Sequence, residues 1–272
     1  MGSLHKLSVS VFLLVLSLTT SAVDHYRLTA GAGEAGLGYV CIMKEGFWSS
    51  FHNQATLASN NDFSFGLNYE NRFNLKELGT RTAGIRIPAG KASLGAIYSH
   101  FGYADYRREM TGLGCGLKLT DKIAAGVQVD YFSEKALYDY ADSRAVTFEA
   151  GFLISPSQNV TIGLHLFNFV PNSLRKTSMP TTLRTGVGAY LNSSLFAGIE
   201  AEMSSGSKLL VRTGFEYEAM KKLFLRGGFS TYNNSFSFGL GYLTKIVRMD
   251  LSFATHEKLG MTSSVSFVFK IH

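Results

Sequence analysis

From residue 63 to the C-terminus, side-chain character changes with a period of two, and the ionised residues keep to one phase. Phe63, Phe65, Leu67 and Tyr69 alternate with Ser64, Gly66, Asn68 and Glu70. Ile123, Ala125, Val127, Val129 and Tyr131 alternate with Ala124, Gly126, Gln128 and Asp130. The last residues repeat the pattern, with Val265, Phe267, Phe269 and Ile271 set against Ser264, Ser266 and Lys270. This is the signature of strands with two unlike faces. About fourteen such segments can be marked: 63–71, 81–88, 92–101, 111–119, 123–132, 145–155, 159–168, 182–191, 194–203, 208–217, 222–231, 235–243, 246–255 and 262–271. The weakest is 92–101, where Ile97 breaks the alternation. Most segments are close to the roughly 9–11 residues that cross a bilayer as a tilted strand.

The phase of the charges decides what the apolar face meets. Glu70, Arg86, Lys118, Asp130, Glu149, Arg184, Glu200, Glu202, Arg212, Glu216, Arg226, Arg248 and Asp250 all lie opposite the apolar positions. A charge facing lipid at the midplane costs roughly 2–4 kcal/mol for Arg or Lys. A soluble sandwich or lipocalin-like barrel would carry Lys, Glu and Thr on its polar face, whereas here that face is rich in Gly and Ser. The expectation is an all-β chain: a transmembrane antiparallel barrel of about fourteen strands over 61–272, with lipid outside and charges in the lumen. Connection lengths agree with it. The gaps 89–91, 120–122, 156–158, 192–193, 218–221 and 244–245 are short, and they alternate with gaps that include the longer 72–80, 102–110, 133–144 and 169–181. Tight turns at one end and longer loops at the other are the habit of outer-membrane barrels.

The N-terminus fits that location. His5 and Lys6 precede a nearly all-apolar run over 7–18, and Thr20, Ser21 and Ala22 follow. This is the three-part pattern of a secretory signal peptide, expected to span 1–22 and to be cleaved after Ala22. Twelve or so apolar residues are too few to span a bilayer as a helix. The formal net charge of +6 is scattered rather than blocked, so nucleic acid is not an expected partner. Cys41 and Cys115 could pair in an exported protein, but Cys115 sits on an apolar face, so two free thiols are expected. Nothing in the sequence resembles a metal site or a cofactor motif. The stretch Gly112-Leu113-Gly114-Cys115-Gly116 lacks the Lys-Ser/Thr and the helix of a phosphate loop. No Gly-x-Ser-x-Gly is present, and His165 and Glu149, inward on neighbouring segments, are better read as a lumen hydrogen bond than as a catalytic set.

Residues 23–60 do not alternate. They hold a Gly/Ala-rich start, the only tryptophan, and the run Phe51-His52-Asn53-Gln54-Ala55-Thr56-Leu57-Ala58. Either a periplasmic extension or a plug in the barrel mouth fits such a segment, because a fourteen-stranded tube can leave an aqueous opening. Gly31, Gly36 and Gly38, then Trp48, then Phe51, Asn53 and Ala55 resemble the hatch signature of FadL-type long-chain fatty-acid channels, and still more that of the PorV/PorQ-type outer-membrane proteins of type IX secretion. Gln54 and Thr56 depart from the Pro and Gly usual in that motif. The resemblance implies fourteen strands behind an N-terminal hatch in the Gram-negative outer membrane. For the PorV/PorQ branch it implies work in secretion or surface attachment through contacts with secretion-system proteins, and the compact loops favour this branch. For the FadL branch it implies a hydrophobic ligand passed sideways through a gap at a kinked third strand, here 92–101 with Gly95 and Gly102. The nearly balanced lumen charges suggest ion pairs across a largely closed interior, with a polar solute path as the alternative.

Overall fold

A computed structural model of the chain describes residues 28, 30–59, 62–136, 140–170, 172–174 and 177–271. The expected signal peptide lies outside these residues. Fourteen antiparallel strands close into one barrel: β1 (Phe63–Asn71), β2 (Gly79–Ala89), β3 (Ala92–Gly102), β4 (Tyr106–Lys118), β5 (Ile123–Ala136), β6 (Tyr140–Ile154), β7 (Val160–Phe167), β8 (Thr182–Asn192), β9 (Leu195–Ser204), β10 (Leu210–Met220), β11 (Leu223–Ser230), β12 (Ser235–Leu243), β13 (Val247–His256) and β14 (Gly260–Ile271). Each strand pairs with its chain neighbour. Closure comes from β1 against β14, in register from Phe63 opposite Ile271 to Asn71 opposite Ser263.

Alternation becomes geometry in the expected way. Leu113, Val127 and Phe238 stand 59–64% exposed on the outer wall. Closing the sheet leaves no unpaired edge, which hydrocarbon would otherwise penalise at every free N–H and C=O. Ile97 breaks the outward pattern because it points inward, 2% exposed, opposite Gly84 on β2 and Gly112 on β4. No bulge is involved. β3 pairs without a register shift along its whole length with both β2 and β4, so the lateral gap implied for the third strand is not found there.

Two of the loops expected to be long are short. β4 begins at Tyr106 and β5 runs to Ala136, leaving connections 103–105 and 137–139. The charged runs Arg107-Arg108-Glu109 and Glu134-Lys135 look like loop in sequence, yet they continue the ladder. Inward-facing Arg108 Nε meets Glu134 Oε2 at 3.2 Å, so both charges are matched inside the wall. The longest connections at that end are 72–78 and 168–181.

Among the described residues the wall has a marked discontinuity. β6 pairs with β5 along most of its length, but with β7 only from Glu149–Phe167 to Ile154–Ile162. Beyond Glu149 the outer edge of β6 faces the 168–181 connection instead. Asn168 N donates to Phe148 O at 2.9 Å, and the Asn172 side chain donates to Val146 O. A two-residue ladder within this connection, Ser173–Leu174 with Thr177–Ser178, stiffens it locally.

Leu113 provides a test of the membrane-facing assignment. Leu113→Arg should lower the folding free energy in lipid vesicles by about 2–4 kcal/mol, read from urea titration, whereas Asp121→Arg in a turn should leave it unchanged within error.

Candidate functional site

Residues 30–59 form a plug inside the barrel. It comprises a short helix, α1 (Ala32–Gly36), and two 3₁₀ turns, Trp48–Phe51 and Gln54–Ser59. Its path depends on space that the wall leaves open. On β1, β2 and β3, Gly66, Gly84 and Gly95 face the rings of Phe47, Trp48 and Phe51 and the side chain of Leu57. On β4, β5 and β6, Gly116, Gly126 and Gly151 lie against the backbone and side chains of Asn53–Leu57. On β7 to β10, Gly163, Gly188, Gly198 and Gly214 receive Ile42, Met43, Val40 and Leu37. Gly228 and Gly239, on β11 and β12, meet the plug's own Gly38 and Gly36; a Cβ on Gly239 would stand 3.0 Å from the Gly36 Cα. Twelve consecutive strands thus each give up a side chain at the level of the plug.

The hatch-motif residues take specific places in this contact. Gly31 has φ +96°, and a Cβ there would meet Trp48 Cβ at 2.6 Å. Gly38, at φ +65°, turns the chain away from α1. Trp48 and Phe51 are buried and pack edge-on or tilted with Phe47. Buried Asn53 donates from Nδ2 to Ile42 O at 2.6 Å and to Phe152 O at 3.2 Å, and its Oδ1 accepts from Ala55 N at 3.1 Å. The two departures from the usual motif are hydrogen-bonding groups. Gln54 Nε2 donates to Glu149 Oε2 at 2.6 Å, and Thr56 Oγ1 to Asn53 O at 2.9 Å.

Wall charges fasten the plug. Tyr39 OH donates to Glu70 Oε2 at 2.8 Å, the Cys41 amide to Glu200 Oε2 at 3.3 Å, and Lys44 Nζ lies 3.0 Å from Glu216 Oε1. Around them run two buried ion-pair networks. Arg184 and Arg212 converge on Glu200 at 2.7 and 3.1 Å, and Arg212 also holds Glu202 at 2.7 Å. Arg226 bridges Glu216 at 2.6 Å and Asp250 at 2.8 Å, with Arg248 beside both. Mutual satisfaction of this kind is what makes buried charge tolerable. Arg86 is buried with its Nη2 on Ser64 Oγ at 3.2 Å, while its Nε and Nη1 have no partner among the described residues. Lys118 departs from the lumen assignment. It sits at the turn end of β4, half-exposed, and pairs with Asp121 at 3.1 Å. Cys41 is buried beside Arg184, Cys115 lies on the outer face of β4, and neither is in a disulfide.

The other half of the lumen is different, and sequence reasoning did not identify it as a site. Inward-facing Ile97, Met110, Phe132 and Phe167, on β3, β4, β5 and β7, join Leu174 and Met179 of the 168–181 connection in one apolar cluster above Trp48 and Phe51. Its lower border is polar. His165 Nε2 is 2.9 Å from Glu149 Oε2, and Gln128 Nε2 donates to Asp130 Oδ1 at 2.8 Å. The signal for it lay in the inward phase itself, where Ile97, Met110, Phe132 and Phe167 are apolar among polar neighbours. At the turn end, under the plug, a recess of about 720 Å³ opens between Met43, Glu45, Lys122, Gln158, Tyr190 and Phe196.

Gly126→Val should displace the plug, since its Cβ would collide with the Gln54 backbone. Single-channel recording should show a larger conductance than for the unaltered chain. The heat-modifiable band of a folded barrel should persist, and Ser157→Ala should change nothing.

No protein-family model matches the chain, and no curated protein matches it in sequence. Solved structures match its fold. The Ralstonia pickettii toluene transporter TbuX aligns with a TM-score of 0.70 at 12% identity, over 89% of this chain and 98% of that one. The Pseudomonas putida toluene transporter TodX aligns at 0.71 and 12%, over 92% and 99%. A Pseudomonas aeruginosa FadL homologue aligns at 0.69 and 12%, over 92% and all of its own chain. At such identity these likenesses establish the architecture: the chain has the FadL-type barrel fold.

Proposed function

We propose that this chain is an outer-membrane channel for small hydrophobic molecules, with the apolar cluster of Ile97, Met110, Phe132 and Phe167 as their binding site. The observation that carries the reading is the position of that cluster. It occupies one side of an otherwise ion-paired lumen, directly beneath the longest connection. An aqueous pore has no use for buried apolar side chains there, whereas an apolar solute gains roughly 25 cal/mol for each Å² removed from water. The solved neighbours include transporters of toluene, a solute of this kind. The secretion role implied by the PorV/PorQ resemblance has no comparable support, so the solute reading replaces it.

The route out follows from where the wall is weakest. The plug touches the glycines of twelve strands and is tied by the Lys44–Glu216 ion pair and by hydrogen bonds to Glu70, Glu149 and Glu200, so displacing it breaks many contacts at once. The β6–β7 discontinuity borders the cluster through Phe167 and Leu174 and is bridged by a small set of hydrogen bonds, each worth about 1 kcal/mol net. The solute leaves sideways here, between β6 and the 168–181 connection, rather than at β3.

Trp48 is the only tryptophan, so its fluorescence reports on the cluster directly. A brominated fatty acid or a bromobenzene should quench it saturably, and Phe132→Asp should raise the apparent Kd at least about tenfold, a loss near 1.4 kcal/mol. Unsaturable quenching would remove the site. The route has its own test. In a background lacking Cys41 and Cys115, an oxidised Val146→Cys/Asn172→Cys pair should block uptake of radiolabelled toluene and reduction should restore it. An oxidised Tyr98→Cys/Thr111→Cys pair, across the continuous β3–β4 ladder, should leave uptake intact.

A further inference from the structure

The outer wall carries a feature that solute transport does not use. On the lipid-facing phase of β2 to β6, near the loop end, the cross-strand rows place Arg81 opposite His100, His100 opposite Glu109, and Ser133 opposite Arg144. One row further out, Arg107 stands opposite Lys135. Arg81 and Arg144 are exposed. Arg107 has its Nε buried and without a partner among the described residues. Glu109, the acidic member of these rows, is engaged by Tyr98, whose OH donates to its Oε1 at 3.0 Å. Outward positions at the same end of the opposite wall are Leu183, Met203, Val211, Phe229 and Phe236, with no charge. Among the outward strand positions named at this end, the cations therefore lie on one side of the barrel; Lys208 and Lys258 lie in connections, outside the strands.

A recess of about 320 Å³ lies directly below Arg81 on the same wall. Its floor is Ala83, and its sides are Leu67 and Phe267 on one flank and Tyr98 on the other. Register explains the hollow. Ala83 lies between Leu67 on β1 and Tyr98 on β3, so a methyl group separates two large side chains. An apolar furrow on a lipid-facing wall is filled by an acyl chain, since hydrocarbon is what surrounds it. Cations at its upper end stand at headgroup height, where basic residues attract an anionic lipid.

We propose that this face, from Arg81 to Arg144, is a binding site for a phosphorylated, multiply acylated lipid of the leaflet on the loop side. One acyl chain lies in the furrow beside Ala83 and Tyr98. The phosphate groups lie against Arg81, Arg107 and Arg144. The chemistry selects phosphate over a neutral headgroup because each guanidinium can donate two parallel hydrogen bonds to phosphate oxygens. It selects a wide, many-chained lipid over a two-chained one because the cations span five strands, roughly 19 Å at the usual strand spacing.

The test uses the full folded chain in detergent, titrated with a hexa-acylated, bisphosphorylated glycolipid and followed by native mass spectrometry. One-to-one retention is expected. The triple variant Arg81→Ser/Arg107→Ser/Arg144→Ser should bind roughly a hundredfold more weakly. The dephosphorylated glycolipid should bind the unaltered chain equally weakly. Ala83→Trp, which fills the furrow and keeps every charge, should also weaken retention. Lys221→Ser/Lys222→Ser/Lys245→Ser, at the turn end, should not. Equal retention by the arginine variant, equal retention of phosphatidylglycerol, or no retained glycolipid at all would each overturn the assignment, the last pointing to a protein as the occupant. The heat-modifiable band of each variant verifies that the barrel is folded.

Discussion

The contact on which this architecture depends is that of the N-terminal segment, by side chain or backbone, with an inner wall where glycines withhold their side chains. A fourteen-stranded cylinder is too wide for its own side chains to fill and too narrow to house a packed domain. Thirty residues without a core of their own fit because β1 to β12 each present a glycine at one level. What remains is a chain threaded through a ring from which side chains have been withdrawn. Its polar backbone is matched by wall side chains such as Glu200 and Ser266. The abundance of glycine, which looks like a weak strand signal, is the imprint of that threading.

A second level of order sits on the first. Ion pairs gather on β8 to β13, where arginine and glutamate alternate along neighbouring strands and neutralise one another. Apolar inward side chains gather on β3 to β7, next to the stretch where β6 and β7 lose their ladder. The two halves have different mechanical characters. The charged half is cross-linked in all directions and cannot part without exposing unpaired charge. In the apolar half the lumen side chains are held mainly by dispersion contacts, and beyond Glu149 the edge of β6 is joined only by the few hydrogen bonds of the 168–181 connection. Under the channel function proposed here, movement of a solute would belong to the second half for the same reason that anchoring of the plug belongs to the first.

Period and phase carried most of the fold into view. The number of strands and the face that most side chains take are properties of single strands, and alternation displays them; closure follows because an open edge would leave backbone groups unpaired in hydrocarbon. Three things were hidden, each for a physical reason. The lengths of β4 and β5 were underestimated because Arg108 and Glu134 look like loop charges until they are seen to face each other. The inward turn of Ile97 looked like an irregular strand because its packing partner is the space above Gly112, a non-local fact. Lys118 shares the parity of the lumen charges but lies one residue from the turn, where parity no longer separates inside from outside. The apolar cluster was legible only in part, since Leu174 and Met179 come from a connection whose position no periodicity predicts.

Closure of the cylinder by β1 and β14 has a consequence for assembly. The two strands are joined by nine facing pairs, yet their residues are separated by nearly the whole length of the barrel. That junction is the most non-local pairing in the molecule, and such pairing forms slowly. Once it forms, the thirty residues inside are encircled by covalent chain and hydrogen bonds on every side. A segment still outside at that moment would have to enter through an open end of the cylinder and fit its path to the glycines of the wall afterwards.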